Sequence, residues 1–321
     1  MGTGGHVETQ KTYWCKWVYR TKLNADVTIN KHKARLVVKC YAQIFGVDFL
    51  KTFTPAARLD MIRMLLAVAA QKGWKIFQLD VKSAFLIGYL QEKIFVDQPL
   101  GFVVGGEEEK VYLLKKVLYG LKLAPRAWYS RIDEHLLKHD FKSTLYIRTS
   151  NYDCIVVSLY MDDLFVTGNN LNMIDKFKAE MMKVFEMTDL GEMSYFLGVE
   201  VQQNQRGIFI GQQIYAKEIL KKFKMEECKS MTTLINLKEK LCKEDGAGKV
   251  DEAIYRSLIG CLMYLTATRL DIMHVVNLLS RFMHCANEVH FKAVKRVVRY
   301  IKGTLSYGIQ FSRIENFELQ G

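Results

Sequence analysis

Three aspartates stand where apolar, β-prone segments end. Asp80 closes Ile76-Phe77-Gln78-Leu79, and Asp162-Asp163 interrupt the run Cys154 to Tyr160 before it resumes at Leu164 to Thr167. An Asp-Asp pair in a turn usually means turn chemistry, because the short carboxylates hydrogen-bond their own backbone. Here the flanking strands are too apolar to be exposed on both faces, which draws the pair into a buried sheet. Three carboxylates at strand ends, if gathered, suit a hard, oxygen-seeking ion such as magnesium, which takes one or two carboxylates and leaves sites for phosphate. Two ions about 4 Å apart would then clamp the attacking and leaving oxygens of a phosphoryl displacement. Periodicity does not show that the three converge. The other metal-like signals are weaker. His135 and His139 share helical i, i+4 spacing, but Glu134 precedes the pair and no partner motif accompanies it, so it reads as ordinary helix surface. The seven cysteines are odd in number and lack any C-x-x-C pair, which fits free thiols in a reducing compartment and no structural zinc.

The elements that must position these aspartates follow from patterning. Trp14 to Tyr19, a polar Asn24-Ala25-Asp26 turn and Ala34 to Lys39 form a hairpin made cationic by Lys22, Lys31, Lys33 and Arg35. Leu59 to Lys72 carries Ile62, Leu65, Leu66 and Ala69 at helical spacing, stops at Gly73, and leads into the strand ending at Asp80. After the acidic loop Gly105 to Glu109 comes a strand at Val111 to Leu114; Pro125 then opens a helix through about Lys138. Strand, tight turn and strand surround Asp162-Asp163. A helix at Asn172 to Phe185, strands at Tyr195 to Val201 and Ile208 to Ile210, and a helix at Ile214 to Phe223 complete this part. Met225 to Lys249 is lysine-rich and weakly periodic, as a linker would be, and three helices follow at Tyr255 to Thr266, Ile272 to Met283 and Val289 to Ile301. On the last, Lys292, Lys295, Arg296, Arg299 and Lys302 make a basic stripe of the kind phosphate tracking requires.

Bulk properties agree with a folded protein that meets phosphates. The chain has 321 residues, half of them hydrophobic, and a formal charge of +12, enough to bury a sizeable core in about two or three compact units and basic as nucleic-acid binders are. The most apolar run, Met61 to Ala70, is short and carries Arg63, so a membrane protein is not expected. The first residues lack a signal peptide's apolar core, and His6 stands where a myristoylation signal wants Ser or Thr.

Several segments together resemble the reverse transcriptase of copia-type retrotransposons. Leu79-Asp80-Val81-Lys82-Ser83-Ala84-Phe85 is similar to polymerase motif A, Leu118 to Trp128 (Leu-Tyr-Gly-Leu-Lys-Leu-Ala-Pro-Arg-Ala-Trp) to motif B, and Tyr160-Met161-Asp162-Asp163 to the Y-x-D-D box of motif C. Tyr195-Phe196-Leu197-Gly198-Val199-Glu200-Val201 resembles the primer grip, and His32-Lys33-Ala34-Arg35-Leu36-Val37 the fingers strand whose arginine meets the triphosphate. The match runs from about Trp14 to the C-terminus. It implies an α+β right-hand polymerase with fingers, a ferredoxin-like palm and a helical thumb: fingers and palm over residues 1–224, a linker over 225–249, and a thumb or connection region over 250–321 that stops before an RNase H domain. Asp80, Asp162 and Asp163 would be catalytic and hold two Mg2+ ions, with Mn2+ a substitute. Arg35, Phe85, Gly120 and Lys122 would bind the nucleotide, Phe85 excluding a 2′-hydroxyl from its place five residues after Asp80. Tyr160, Met161, Phe196, Leu197 and Gly198, with Gly260 and Tyr264 of the thumb helix and Lys295 and Arg299 of the stripe, would contact primer and template.

The implied activity is template-directed DNA synthesis on an RNA or DNA template with primer, using dNTPs and two-metal nucleotidyl transfer. Its normal partners would be the other parts of a Gag-Pol polyprotein, and its place a cytoplasmic virus-like particle or the nucleus. A silent, nucleic-acid-binding remnant is the alternative, because some positions depart from the family. Val27, Cys40 and Leu270 stand where a turn glycine, a glycine and a helix-opening proline are usual, each removing a backbone specialist. Leu123 replaces the usual glutamine of motif B and Ile87 the usual asparagine after motif A, both beside the expected nucleotide site.

Overall fold

The computed structural model describes residues 11–23, 28–39, 41, 43–46, 49, 52, 54, 59–142, 145–235, 241–242 and 246–313; Val27 and Cys40 lie outside them. The chain divides into two compact units, Met1–Ile62 with Ile76–Gly191, and Arg63–Lys75 with Glu192–Gly321. The chain crosses between them at Ile62/Arg63, Lys75/Ile76 and Gly191/Glu192. Ala216, Ile219, Leu220 and Met225 share one apolar cluster with the three C-terminal helices.

The first unit opens with β1 (Thr12–Tyr13) and the antiparallel hairpin of β2 (Cys15–Leu23) and β3 (Ile29–Val38). Strand alternation gives this hairpin two unlike faces. In the observed register Lys16, Arg20, Lys31, Lys33 and Arg35 share one face, and Trp17, Tyr19, Ala34 and Leu36 the other. The helix α1 (Leu59–Lys72), most of which belongs to the second unit, has Ile62, Leu65, Leu66 and Ala69 buried, as its spacing requires, and ends at Gly73. Then come β4 (Ile76–Val81), the short α2 (Ala84–Ile87), β5 (Phe95–Val96), β6 (Tyr112–Leu113), α3 (Ala124–Lys138), β7 (Tyr146–Ser150), β8 (Asp153–Tyr160), β9 (Asp163–Gly168), α4 (Leu171–Val184) and β10 (Met187–Glu192).

A five-stranded sheet in the order β10-β4-β9-β8-β7 carries the aspartates. Register sorts its residues cleanly. Leu79 faces Leu164 and Leu159 across the strands, and Phe77 faces Val166 and Val157. This apolar face packs on Trp128, Ile132 and Leu136 of α3 and Ile174, Phe177 and Met181 of α4; each large side chain so buried contributes roughly 1.5–3 kcal/mol. The opposite face carries Gln78, Asp80, Asp163 and Tyr160. β1, β5 and β6 form a separate small sheet next to an apolar cluster that includes Leu121, Leu123 and Ala124.

The second unit has an antiparallel sheet of β11 (Tyr195–Phe196), β12 (Val199–Asn204), β13 (Gly207–Gly211) and β14 (Gly308–Ser312), with the helices α5 (Gln213–Lys222), α6 (Glu252–Leu265), α7 (Leu270–Ser280) and α8 (Glu288–Gly303). Two helix starts are capped by side chains: Asp251 accepts from the N–H groups of Ala253 and Ile254, and Asn287 from that of His290. α7 has neither a side-chain cap nor the family's proline. Its start is fastened by Arg269, 2% exposed, which grips Asp271 through two bonds of 2.9 and 2.7 Å and donates to the Thr304 carbonyl. The strand expected over Tyr195 to Val201 breaks in two, because Leu197 (φ 46°) and Gly198 (φ 72°) take left-handed conformations. β14 was not foreseen; it adds a strand to a region that reads as purely helical.

Candidate active site

The three aspartates meet at one end of the central sheet. Asp80 and Asp163 are directly opposed across β4 and β9, which puts their side chains on the same face with Cβ atoms about 4.5–5.5 Å apart. Tyr160 lies opposite Asp163 on the other side. Asp162 sits in the turn between β8 and β9, where its carbonyl accepts the Val81 N–H at 2.9 Å. Met161, exposed and left-handed at φ 53°, precedes it, and its carbonyl accepts the indole N–H of buried Trp128 at 2.7 Å. Burial holds the Asp163 carboxyl above the ordinary carboxylate range, the charges of Asp162 and Asp80 add to this, and a 2.9 Å bond from the Gln78 amide opposes it.

Magnesium fits this donor set in kind. All the donors are carboxylate oxygens, two are directly opposed, and a cation would offset both the burial that chiefly raises the Asp163 pKa and the lesser repulsion from Asp162 and Asp80. Among the described residues no group of three or more His, Cys, Asp or Glu side chains is gathered closely enough to hold an ion by itself. The ring centroids of His135 and His139 are 4.3 Å apart, and the His139 Nδ1 lies 2.8 Å from the His135 carbonyl, as on a helix surface.

The expected nucleotide residues gather around motif B. The Arg35 guanidinium lies 5.0 Å over the Tyr119 ring, and Tyr119 meets Phe85 edge-on at 6.4 Å. The Val38 N–H donates to the Tyr119 carbonyl at 2.8 Å. Gly120, at φ 90°, packs so tightly beneath that strand that a Cβ would run into the Val38 carbonyl, so only glycine fits. Lys122 donates its backbone N–H to the Gln43 amide oxygen at 2.8 Å, and its ammonium to the Gln43 carbonyl at 3.1 Å. Ile87 is half-buried. Leu123 requires a correction: it is 1% exposed, in one cluster with Tyr13, Val38, Phe49 and Val96, so its side chain belongs to the core and not to the nucleotide site. The start of α3 turns it inward.

In the second unit, the residues expected to hold primer and template separate into two groups. Leu197, Gly198, Gly260 and Tyr264 form the first: the Tyr264 hydroxyl donates to the Leu197 carbonyl, Gly198 packs under the Tyr264 ring, and Gly260 faces open space one turn earlier on α6. Phe196 is 3% exposed, so the exposed apolar groups of that segment are Tyr195 and Leu197. The second group is the α8 stripe, where Lys295 and Arg299 are exposed while Arg296 is tied to Thr233. Gln78, Tyr119, Trp128 and Gln43 were given no role from sequence. Gln78 had a legible signal, a lone amide inside an otherwise apolar strand.

Comparison with known proteins shows the family. Residues 7–237 match the family described as reverse transcriptase (RNA-dependent DNA polymerase). The chain is 37% identical over 300 residues to a retrovirus-related Pol polyprotein from transposon RE1 of Arabidopsis thaliana, covering 92% of this chain and 20% of that protein. It is 36% identical over 310 residues to the Pol polyprotein from transposon TNT 1-94 of Nicotiana tabacum, covering 90% of this chain and 23% of that one. A Ty5-1 transposon protein of Saccharomyces cerevisiae is 32% identical over 240 residues, with 73% and 78% of the two chains covered. The chain thus spans about a fifth of the length of the plant polyproteins. With its mixed helices and sheets, the chain belongs to the reverse transcriptase family, in the branch of copia-type retrotransposon Pol polyproteins.

Proposed function

We propose that this chain is an RNA-directed, and also DNA-directed, DNA polymerase that joins dNTPs to a primer 3′-hydroxyl, with Asp80, Asp162 and Asp163 as its catalytic carboxylates. The observation that carries the reading is the direct opposition of Asp80 and Asp163, with Asp162 in the adjoining turn. In the reaction the primer 3′-oxygen bonds to the α-phosphorus, the bond to pyrophosphate breaks, and the hydroxyl proton is lost. Mg2+, or Mn2+ in its place, would be held as two ions by these aspartates and would neutralise phosphate charge while favouring ionisation of the hydroxyl. The Gln78 amide fixes one Asp163 oxygen. Arg35, steadied on Tyr119, offers a planar fork to the triphosphate. Phe85, edge-on to the same ring, closes the space a 2′-hydroxyl would need. Gly120 and Lys122 of motif B would lie against the nucleotide. Fingers, palm and thumb would correspond to the β2–β3 hairpin, the five-stranded sheet with α3 and α4, and α6–α8. Tyr160 and Met161 in the first unit and, in the second, Leu197 and Gly198 with buried Phe196, Gly260, Tyr264, Lys295 and Arg299 would each serve primer or template binding.

A silent, nucleic-acid-binding remnant is the second reading. The observation favouring it is that motif B has Leu123 where the family usually has glutamine. Purified chain with poly(rA)–oligo(dT), Mg2+ and dTTP decides between the two: primer extension supports the polymerase, and template-primer binding without extension supports the remnant.

A further inference from the structure

The turn bearing the paired aspartates is held from two sides by segments distant in sequence. Two successive carbonyls are tied, that of Met161 to the Trp128 indole N–H at 2.7 Å and that of Asp162 to the Val81 N–H at 2.9 Å. The second tie is backbone to backbone and needs no particular side chain. The first depends on one residue type, since only tryptophan presents an aromatic N–H at that position while filling the core. Trp128 is 2% exposed, and its ring lies edge-on to Phe185 at 5.7 Å and 89°. Its N–H cannot reach solvent and must be satisfied within the protein.

Two further features show what the bond does. Met161 is left-handed at φ 53° without being glycine, a conformation that persists only where its surroundings enforce it. Against the same indole lies a small apolar cavity of about 70 Å3 bordered by Phe85, Leu159 and Met161. Packing around the turn is thus incomplete, and the turn has room to relax once the hydrogen bond is removed.

We infer that Trp128 is a positioning residue for Asp162 and Asp163, acting through the Met161 carbonyl and touching neither nucleotide nor metal itself. The inference rests on the polymerase reading of the site. Its cause is geometric: the indole selects the left-handed turn, and the turn sets where the two carboxylates begin. A displacement of about 1 Å in catalytic groups costs on the order of 100-fold in rate.

The test replaces Trp128 with benzothienylalanine, which keeps the ring shape but puts sulfur where the N–H was, alongside Trp128→Phe. Two quantities are read. One is Mn2+ affinity of the chain without nucleotide, from the electron paramagnetic resonance signal of free Mn2+. The other is single-turnover extension on poly(rA)–oligo(dT), separated into maximal rate and dTTP half-saturation. The expected result is Mn2+ affinity weakened about 3- to 10-fold and maximal rate lowered about 10- to 100-fold, with half-saturation within about twofold. A folded benzothienyl protein matching the unsubstituted chain in both Mn2+ affinity and maximal rate overturns the inference. Should Trp128→Phe fail to fold, the isosteric replacement decides. If the unsubstituted chain binds Mn2+ but extends no primer, the polymerase reading fails and the Mn2+ comparison still decides the role of Trp128. An unsubstituted chain that binds no Mn2+ overturns both.

Discussion

Two turns, one in each unit, solve the same local problem with different firmness. At Met161 (φ 53°) and at Leu197 (φ 46°) a non-glycine residue takes the left-handed conformation, and in both an aromatic side chain on a helix donates to that residue's carbonyl. Trp128 makes its bond from the core, 2% exposed, with an N–H that has no freedom to turn, and the Val81 N–H ties the next carbonyl. Tyr264 makes its bond from the surface, 39% exposed, through a hydroxyl that rotates and exchanges with water, beside a glycine. The first arrangement suits groups that must meet reacting atoms in fixed positions. The second suits a strand that must be held and then released by one nucleotide.

The largest effect that could break this contrast lies at the firm turn. Asp162→Asn should lower primer extension about 100-fold or more, near 2.7 kcal/mol of transition-state stabilisation, while template-primer binding survives because phosphate contacts dominate affinity. Near-normal extension by that variant removes the aspartates from the chemistry. Next is Leu123→Gln, which sequence comparison alone would favour as a repair. Because Leu123 lies in the core, an amide there should cost about 1–3 kcal/mol of stability, seen as an earlier urea midpoint; unchanged stability with gained extension would restore Leu123 to the nucleotide site. Phe85→Val should raise ribonucleotide use relative to deoxynucleotide use about tenfold, near 1.4 kcal/mol of discrimination, measured as the ratio of single-nucleotide extension efficiencies. A ratio that stays put in a folded protein makes Phe85 packing alone. Tyr264→Phe tests the yielding turn: losing an exposed hydrogen bond worth about 0.5–1.5 kcal/mol should speed primer-template dissociation a few-fold and leave the single-nucleotide rate untouched. A fall in that rate instead would mean both turns serve the chemistry.

How much of this was legible in the sequence depended on the range of the signal. Helix α1 and the strand–turn–strand around Asp162 were readable because period and punctuation are local properties of the chain. The opposition of Asp80 and Asp163 was not, since register between strands far apart in sequence is set by the packing of the whole sheet. β10 escaped because Met187–Glu192 carries little alternation, and β14 because the alternation of Ile309 and Phe311 with Gln310 and Ser312 is too short to stand out after three helices; both owe their strand form to the neighbours they pair with. Leu123 was misplaced for a similar reason: a motif fixes which residue stands at a position but not which way the start of a helix turns it. The roles of Trp128 and Tyr264 depend on hydrogen bonds across 33 and 67 residues, and no window along the chain contains both partners.

The smallest effect concerns Asp163 and has a definite sign. Burial, then the charges of Asp162 and Asp80, hold its carboxyl pKa above the unfolded value, although the Gln78 amide opposes them. The folded state therefore keeps this proton to higher pH than the unfolded chain does. Its contribution to stability is fully present below the ordinary carboxylate pKa of about 3.9 and is lost as pH rises through the raised value. Asp163→Asn removes the ionisation while keeping an oxygen for the Gln78 amide. The variant should be more stable than the native chain near neutral pH, by a few tenths of a kcal/mol, because a half-exposed carboxyl is partly screened by water. That advantage should shrink as pH falls and vanish below the ordinary value. Added Mg2+ should reverse the order at neutral pH, since an ion bound to the native carboxylates stabilises only the folded state. Urea unfolding of both proteins across this pH range, with and without Mg2+, measures all three; parallel stability curves would show that the aspartates neither repel one another nor share an ion.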